Sequence, residues 1–292
     1  MPHTLISLGA NLGNVRETMK LAQQMLQDEF QGDELRFSRL YRTPPVGGPD
    51  GQGDFLNGIV ALRSDRDAWS IWESVKRVEA GLGRHRLHRW EARRIDVDVL
   101  LHDQETIWTP HFKVPHPRMC MRSFMLIPAL EVAADWVEPV SGWTIQQLAG
   151  NLNSPGPIAI ATPSPKLESA LKARIESVEI QNRIHWVQLP NTDAFRSALL
   201  EGADWLENAK LLILAIDNQD PETIQWEDWS RDWALTLSMY GNWRGAEATT
   251  EELQSDRLIG PRYLLPANDV PWAAHEISSA YEAMHCSIDL CA

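Results

Sequence analysis

Apolar positions in the first half of the chain switch between a period of two and a period near 3.6, and each switch marks an element. Thr4 to Leu8 is a short apolar run, a strand, that enters the turn Gly9-Ala-Asn-Leu-Gly13. A helix follows: Asn14 is a fitting N-cap with Glu17 three residues on, and Val15, Met19, Ala22, Leu26 and Phe30 mark one face. Leu35 to Thr43 alternates as a second strand and meets a loop dense in proline and glycine through Gly53. Phe55 to Leu62 is the next strand, with Phe55, Asn57, Ile59 and Ala61 on one face. Asp65 or Asp67 caps a helix that turns Ala68, Ile71, Trp72, Val75 and Val78 to the core, and Gly81 and Gly83 end it. From Arg94 the period is two again, with Ile95, Val97 and Val99 on one face and Asp96 and Asp98 on the other. The order strand, helix, strand, strand, helix, strand is the ferredoxin-like split βαβ arrangement, an α+β domain. Arg122-Ser-Phe124 then leads into an apolar helix through Ala134.

Past residue 152 the pattern changes. Residues 153–166, with Ser-Pro-Gly-Pro and Thr-Pro-Ser-Pro, read as a proline-rich linker. Beyond it the chain alternates strand (Ile184 to Leu189), helix (Thr192 to Asn208), strand (Lys210 to Ile216), a tryptophan-rich helix (Pro221 to Tyr240), strand (Arg262 to Leu265) and helix (Val270 to His285). That alternation predicts a smaller α/β domain with a parallel sheet over 167–292, behind an N-terminal domain over 1–152. The length of 292 residues suits two domains.

Charge narrows the partners. The chain carries a net −13, of which residues 1–150 hold −2 and residues 151–292 hold −11. Such acidity argues against general nucleic-acid binding and against an anionic membrane surface, and favours small molecules or proteins. Cys120, Cys286 and Cys291 form no metal-ligand pattern and read as free thiols of a reducing cytoplasm. No run of about 18 apolar residues occurs.

The chemistry is concentrated in residues 84–101, with five arginines, two histidines and the Asp96/Asp98 pair. Residues i and i+2 of a strand lie roughly 7 Å apart, so two such carboxylates can bridge metal ions about 4 Å apart. The upstream Arg84, Arg86, Arg89 and Arg93 supply planar forks that match phosphate oxygens. Together they suggest metal-bound polyphosphate. The plainer reading makes the aspartates the wet face of an antiparallel strand and the arginines a solvated loop.

Joined motifs then carry a family resemblance over residues 4–152. Tyr41-Arg-Thr-Pro-Pro-Val46, Phe55-Leu-Asn57, Glu79 with Arg84 and Arg86, Arg89-Trp90, Arg93-x-x-Asp96-x-Asp98, Val114-Pro-His116 and Arg122-x-Phe124-Met-Leu126 stand in one order. This set resembles 6-hydroxymethyl-7,8-dihydropterin pyrophosphokinase, an enzyme of folate biosynthesis. The resemblance implies transfer of pyrophosphate from ATP to the hydroxymethyl group of 6-hydroxymethyl-7,8-dihydropterin, with release of AMP. It implies that Asp96 and Asp98 hold two Mg²⁺ ions bound with ATP, and that Asp98 accepts the hydroxyl proton. Arg84 and Arg93 would clamp the phosphates, while Glu79, Arg86, Trp90, His116 and Arg122 would serve the nucleotide. Phe55 and Phe124 would stack on the pterin, and Asn57 with Thr43, Pro44 and Val46 would meet its edge. Loops around 44–53 and 82–92 resemble segments that close over substrates.

Five positions depart from the family pattern: Glu91-Ala92 for Gly-Pro, Phe55 for tyrosine, His111 for a basic residue and Lys76 for glutamine. They leave room for a pterin- and ATP-binding pseudoenzyme whose loop no longer closes. A single-stranded RNA module is a further reading of the strand order, opposed by the acidity. The resemblance stops at the linker. Asp217 and Asp269 stand at strand ends where α/β folds place ligands, but no glycine-rich phosphate loop precedes them, so the sequence assigns the second half no activity, and an assembly or regulatory module, a homo-oligomer contact and a nucleotide activity of its own stay open.

Overall fold

A computed structural model describes residues 1–47, 51–83, 94–109, 111–189, 208–216 and 260–291. Its first half runs β1 (His3–Ala10), α1 (Val15–Glu29), β2 (Glu34–Phe37), β3 (Tyr41–Thr43), β4 (Phe55–Arg63), α2 (Ala68–Gly81) and β5 (Asp96–His102). A hairpin of β6 (Ile107–Trp108) and β7 (Lys113–Val114), a 3₁₀ turn at Met119–Met121, α3 (Ser123–Ala133) and α4 (Ile145–Asn151) follow. The caps are those the sequence predicts. Asn14 Oδ1 accepts the Glu17 backbone N–H at 3.4 Å, and Asp67 Oδ1 accepts that of Ser70 at 2.8 Å.

The central sheet is antiparallel. β1 lies between β4 and β5, and β2 and β3 both pair with the outer edge of β4. The expected single strand from Leu35 to Thr43 is thus broken in two. The pairing steps from Phe37↔Val60 to Tyr41↔Asn57, one residue too many on the β2–β3 side, which is the signature of a bulge. Ser38 bridges it: its backbone N–H donates to Ile59 O and its Oγ accepts from Ile59 N, both at 2.8 Å.

One face of this sheet, with Ile6, Leu8, Val60, Leu62, Val97 and Val99, is closed by α1 and α2 through Met19, Leu26, Phe30, Ile71, Val75 and Val78. On the opposite face Leu5, Ile59 and Ala61 pack under α3. α3 covers only part of that face, and beyond its N-terminus Ser7, Gly9, Asn57, Asp96 and Asp98 share it.

A second sheet is parallel throughout, in the order β11-β10-β8-β9, from β8 (Ile158–Thr162), β9 (Ile184–Gln188), β10 (Leu211–Ile216) and β11 (Arg262–Pro266). Helices α5 (Pro165–Lys172), α6 (Val178–Asn182) and α7 (Val270–His285) accompany it. β8 corrects the expected linker: Ile158-Ala-Ile-Ala-Thr162, wholly buried, pairs on both sides in the middle of this sheet. Buried on both faces, it needs no polar alternation, so it left no period in the sequence. Pro157 and Pro163 at its ends imitate a linker's composition. The helices expected at Thr192 to Asn208 and Pro221 to Tyr240, and the strand end at Asp217, lie essentially outside the described residues.

The two sheets are joined by one continuous core. Leu5, Ile59 and Leu126 belong to the same buried cluster as Ile158, Ile213 and Ile277. The chain also returns to its start: β12 (Asp289–Leu290) pairs with β3 and extends the first sheet. Among the described residues no helix is long and apolar enough to cross a membrane.

Candidate active site

Three neighbouring strands build the floor of the site. Asn57 on β4 stands opposite Gly9 on β1, and Gly9 stands opposite Asp96 on β5. One row along, Ile59, Ser7 and Asp98 line up in the same way. Directly opposed residues on neighbouring strands share a face, so the amide and both carboxylates point to the side that α3 leaves open. Gly9 keeps the row clear, since a Cβ there would come within 3.3 Å of Asn57 Oδ1. Asn57 is buried and donates from Nδ2 to Thr43 Oγ1 at 2.9 Å, and Thr43 is in turn registered with Phe55. The amide's oxygen and Phe55, two residues before it, are left facing the same space. Pro44 and Val46 continue from Thr43 along its rim, exposed and half-buried.

The carboxylates are held by their backbone. β5 is the edge of the sheet, and an edge strand has unpaired N–H groups. Buried Glu79 on α2 takes one of them: its Oε1 accepts the N–H of Val97, between the two aspartates, at 2.8 Å. Its Oε2 is ion-paired with Lys76 Nζ at 2.7 Å. Glu79 therefore acts on β5.

Asp98 also opens onto a cavity of about 590 Å³ with Lys76, Glu79, His111, Lys113 and His116 around it. Trp72 and Phe112 form its apolar wall, ring centroids 5.5 Å apart at 30°. These two rings, and Lys113, went unmarked in the sequence. Trp72 reads as an ordinary member of the apolar face of α2, and only the β6–β7 hairpin brings Phe112 over to it.

Cations line the far side. Arg122 caps the start of α3 and lies over the Phe124 ring, 5.3 Å from its centroid. Burial pushes its guanidinium down to about 10, and neighbouring Arg118 adds to this, against the opposing pull of Asp98, Glu276 and Asp96. It is still a cation at neutral pH. The His116 imidazole is held well below its usual value by burial and then by Arg122 and Arg118, with Asp96 opposing. It is neutral, and its Nδ1 accepts the Arg118 backbone N–H at 3.2 Å.

The structure brings Thr43, Phe55, Asn57, Glu79, Asp96, Asp98, His116, Arg122 and Phe124 around the open face of the first sheet. Arg84, Arg86, Trp90 and Arg93 lie outside the described residues. Among the described residues no three His, Cys, Asp or Glu side chains converge on a metal position. Two carboxylates on one strand nevertheless fit magnesium, which takes one or two carboxylates and leaves its other places to phosphate oxygens and water.

Comparison with known proteins points to one family. Residues 5–134 match the family model described as 7,8-dihydro-6-hydroxymethylpterin-pyrophosphokinase (HPPK). A Synechocystis protein named 2-amino-4-hydroxy-6-hydroxymethyldihydropteridine pyrophosphokinase is 34% identical over 144 residues, 49% of this chain and 73% of that one. Proteins of the same name from Bacillus subtilis and Porphyromonas gingivalis are each 36% identical; the matches cover 44% and 46% of this chain, and 75% and 92% of theirs. A crystal structure of HPPK-DHPS in complex with substrates aligns with 91% of this chain and 67% of its own at 10% identity and a TM-score of 0.41, too low to bear on the fold.

Proposed function

Since the chain belongs to the 7,8-dihydro-6-hydroxymethylpterin-pyrophosphokinase family, we propose that it transfers pyrophosphate from ATP to the hydroxymethyl group of 6-hydroxymethyl-7,8-dihydropterin, releasing AMP, in folate biosynthesis. The observation that carries this reading to the residues is the row Asn57–Gly9–Asp96 beside Asp98, which sets a ring-reading amide next to paired carboxylates. We read the strand order of the first half as ferredoxin-like and the second half as an appended α/β unit. Three free thiols suit a cytoplasmic enzyme.

In this reading the pterin lies on the open face of the sheet. Asn57, its amide already oriented by Thr43, pairs with the ring edge, and Phe55 and Phe124 stack on the ring. Asp96 and Asp98 would hold two magnesium ions bound with ATP, which would neutralise phosphate charge and acidify the pterin hydroxyl. Asp98 takes the proton as the hydroxyl oxygen attacks the β-phosphorus, and AMP leaves. Arg122 meets the negative charge from the side opposite β5, and Arg84 and Arg93 close the phosphate clamp. The Trp72–Phe112 wall suits the flat base of the nucleotide, with neutral His116 as its hydrogen-bond partner. Glu79 keeps β5 in place at Val97, so the carboxylates do not have to be reorganised during the reaction.

The test is AMP release from ATP and Mg²⁺ with and without the pterin, for the wild type and Asp98→Ala. Pterin-dependent AMP that Asp98→Ala abolishes is the expected result. A folded wild type that binds both ligands and releases no AMP overturns the transfer and leaves a binding protein.

A further inference from the structure

The cation cluster above β5 is anchored from the other half of the chain. α7 packs against α3 and the 3₁₀ turn. From α7 the Glu276 carboxylate, 2% exposed, reaches Arg118, which donates to Oε2 from Nε at 2.8 Å and Nη2 at 2.7 Å. The Tyr263 hydroxyl of β11 donates to the same oxygen at 2.7 Å. Oε1 is buried without a hydrogen-bond partner among the described residues.

A buried ion pair of this kind is poor value as a stabilising device. Removing both charges from water costs several kcal/mol per ion, and apolar residues of similar volume often serve stability as well or better. Here one carboxylate oxygen is left without a partner as well. What Glu276 does achieve is charge placement. Arg118 and Arg122 are like charges that oppose each other, and Glu276 acts favourably on both. Arg118 in turn binds the ring of His116 through its own backbone N–H. The anion therefore fixes the Arg118 guanidinium, whose residue also holds the His116 ring, and offsets the charge that Arg118 sets against Arg122.

Other contacts run the same way. Ser123, the first residue of α3, meets the Cys286 thiol at 2.9 Å. Gly47, at φ 67°, lies so close to α7 that a Cβ would come within 2.7 Å of Ser279 Oγ and 3.1 Å of His275 Nε2.

We propose that Glu276, supplied by the second half, is a positioning residue for the nucleotide side of the site, holding Arg118 and through it His116, and balancing the positive charge beside Arg122. This rests on the reading that these residues face nucleotide. The second half is then part of the working site, and its helix α7 is the element that makes it so.

The test uses the full chain and measures binding, independently of turnover, of α,β-methylene-ATP with Mg²⁺ and, separately, of 6-hydroxymethyl-7,8-dihydropterin. Glu276→Gln keeps the shape and removes the charge. It is expected to weaken nucleotide binding about tenfold with pterin affinity within about twofold, and Glu276→Asp to recover part of the loss. Unchanged nucleotide affinity in Glu276→Gln, or equal weakening of both ligands, overturns the proposal in favour of a structural role. Should Glu276→Gln fail to fold, Tyr263→Phe, which removes one hydroxyl, decides. It is expected to weaken nucleotide binding about threefold, and no change overturns the proposal. A wild type that binds no nucleotide sinks the underlying reading of the site instead, and is told apart by that control.

Discussion

Replacing Glu79 by alanine tests the idea that β5 is tethered from α2. In the native protein Glu79 Oε1 accepts the Val97 N–H at 2.8 Å, and Oε2 pairs with Lys76 at 2.7 Å. Alanine orphans a backbone donor at the sheet edge inside a buried site. A hydrogen bond to a charged group contributes about 1.5–3 kcal/mol, and a buried donor left without a partner costs about 1–3 kcal/mol. These ranges describe overlapping parts of one loss, so we expect on the order of 3 kcal/mol. The Lys76 pair adds little, since the lysine reaches solvent. For a chain of this size that corresponds to a fall in melting temperature of roughly 6–12 °C. Glu79→Gln keeps an acceptor for Val97 and should lose only about 1 kcal/mol. Thermal unfolding followed by circular dichroism gives the stability, and AMP release from the folded fraction gives the function. Because Val97 lies between Asp96 and Asp98, a shift of β5 of about 1 Å should cost on the order of 100-fold in turnover. An alanine variant that melts within a degree of wild type would refute the tether.

Further expectations follow from the same residues. His116 is held neutral when folded but protonates near its ordinary value when unfolded, so the unfolded state binds the extra proton below about pH 6.5. Stability should fall as pH drops through that value, and His116→Asn should flatten this part of the curve in melting runs between about pH 7.5 and 5.5. The Arg122 guanidinium, pushed down to about 10, stays protonated through neutral pH, so no loss of activity between about pH 7 and 9 should trace to it. A loss of nucleotide binding between about pH 7 and 9 that the wild type shows and Arg122→Gln lacks would contradict this. Burial and the Glu138 carboxylate push the Cys120 thiol well up, so alkylation of the native protein at about pH 8 should spare Cys120 and label half-exposed Cys291. Mass spectrometry of the labelled peptides reads this directly.

Much of the first half was legible because its elements are amphipathic. Ile95, Val97 and Val99 alternate with Asp96 and Asp98 because one face of β5 is core and the other is the face that α3 leaves open, and the period of two predicts that division. The caps Asn14 and Asp67 were readable for a similar reason: each acts on a backbone N–H three residues away, so the signal is local. Asn57 stood out as an amide on an apolar strand face, but its bond to Thr43 was seen only in the structure.

What only the tertiary structure decided is whatever depends on contacts distant in sequence. β8 has no polar face to announce it, because both of its faces are buried. The cavity wall needs Trp72 and Phe112, forty positions apart, to be folded onto one another. Glu79 holds the Val97 backbone, a bond between α2 and the sheet edge that no spacing encodes. Above all, the chain's division at the linker hid the return of its second half to the first. Glu276 meets Arg118 across 158 residues, and β12 pairs with β3. Periodicity reports which side of an element is buried, but not against what, and the partner is chosen by packing of the whole chain.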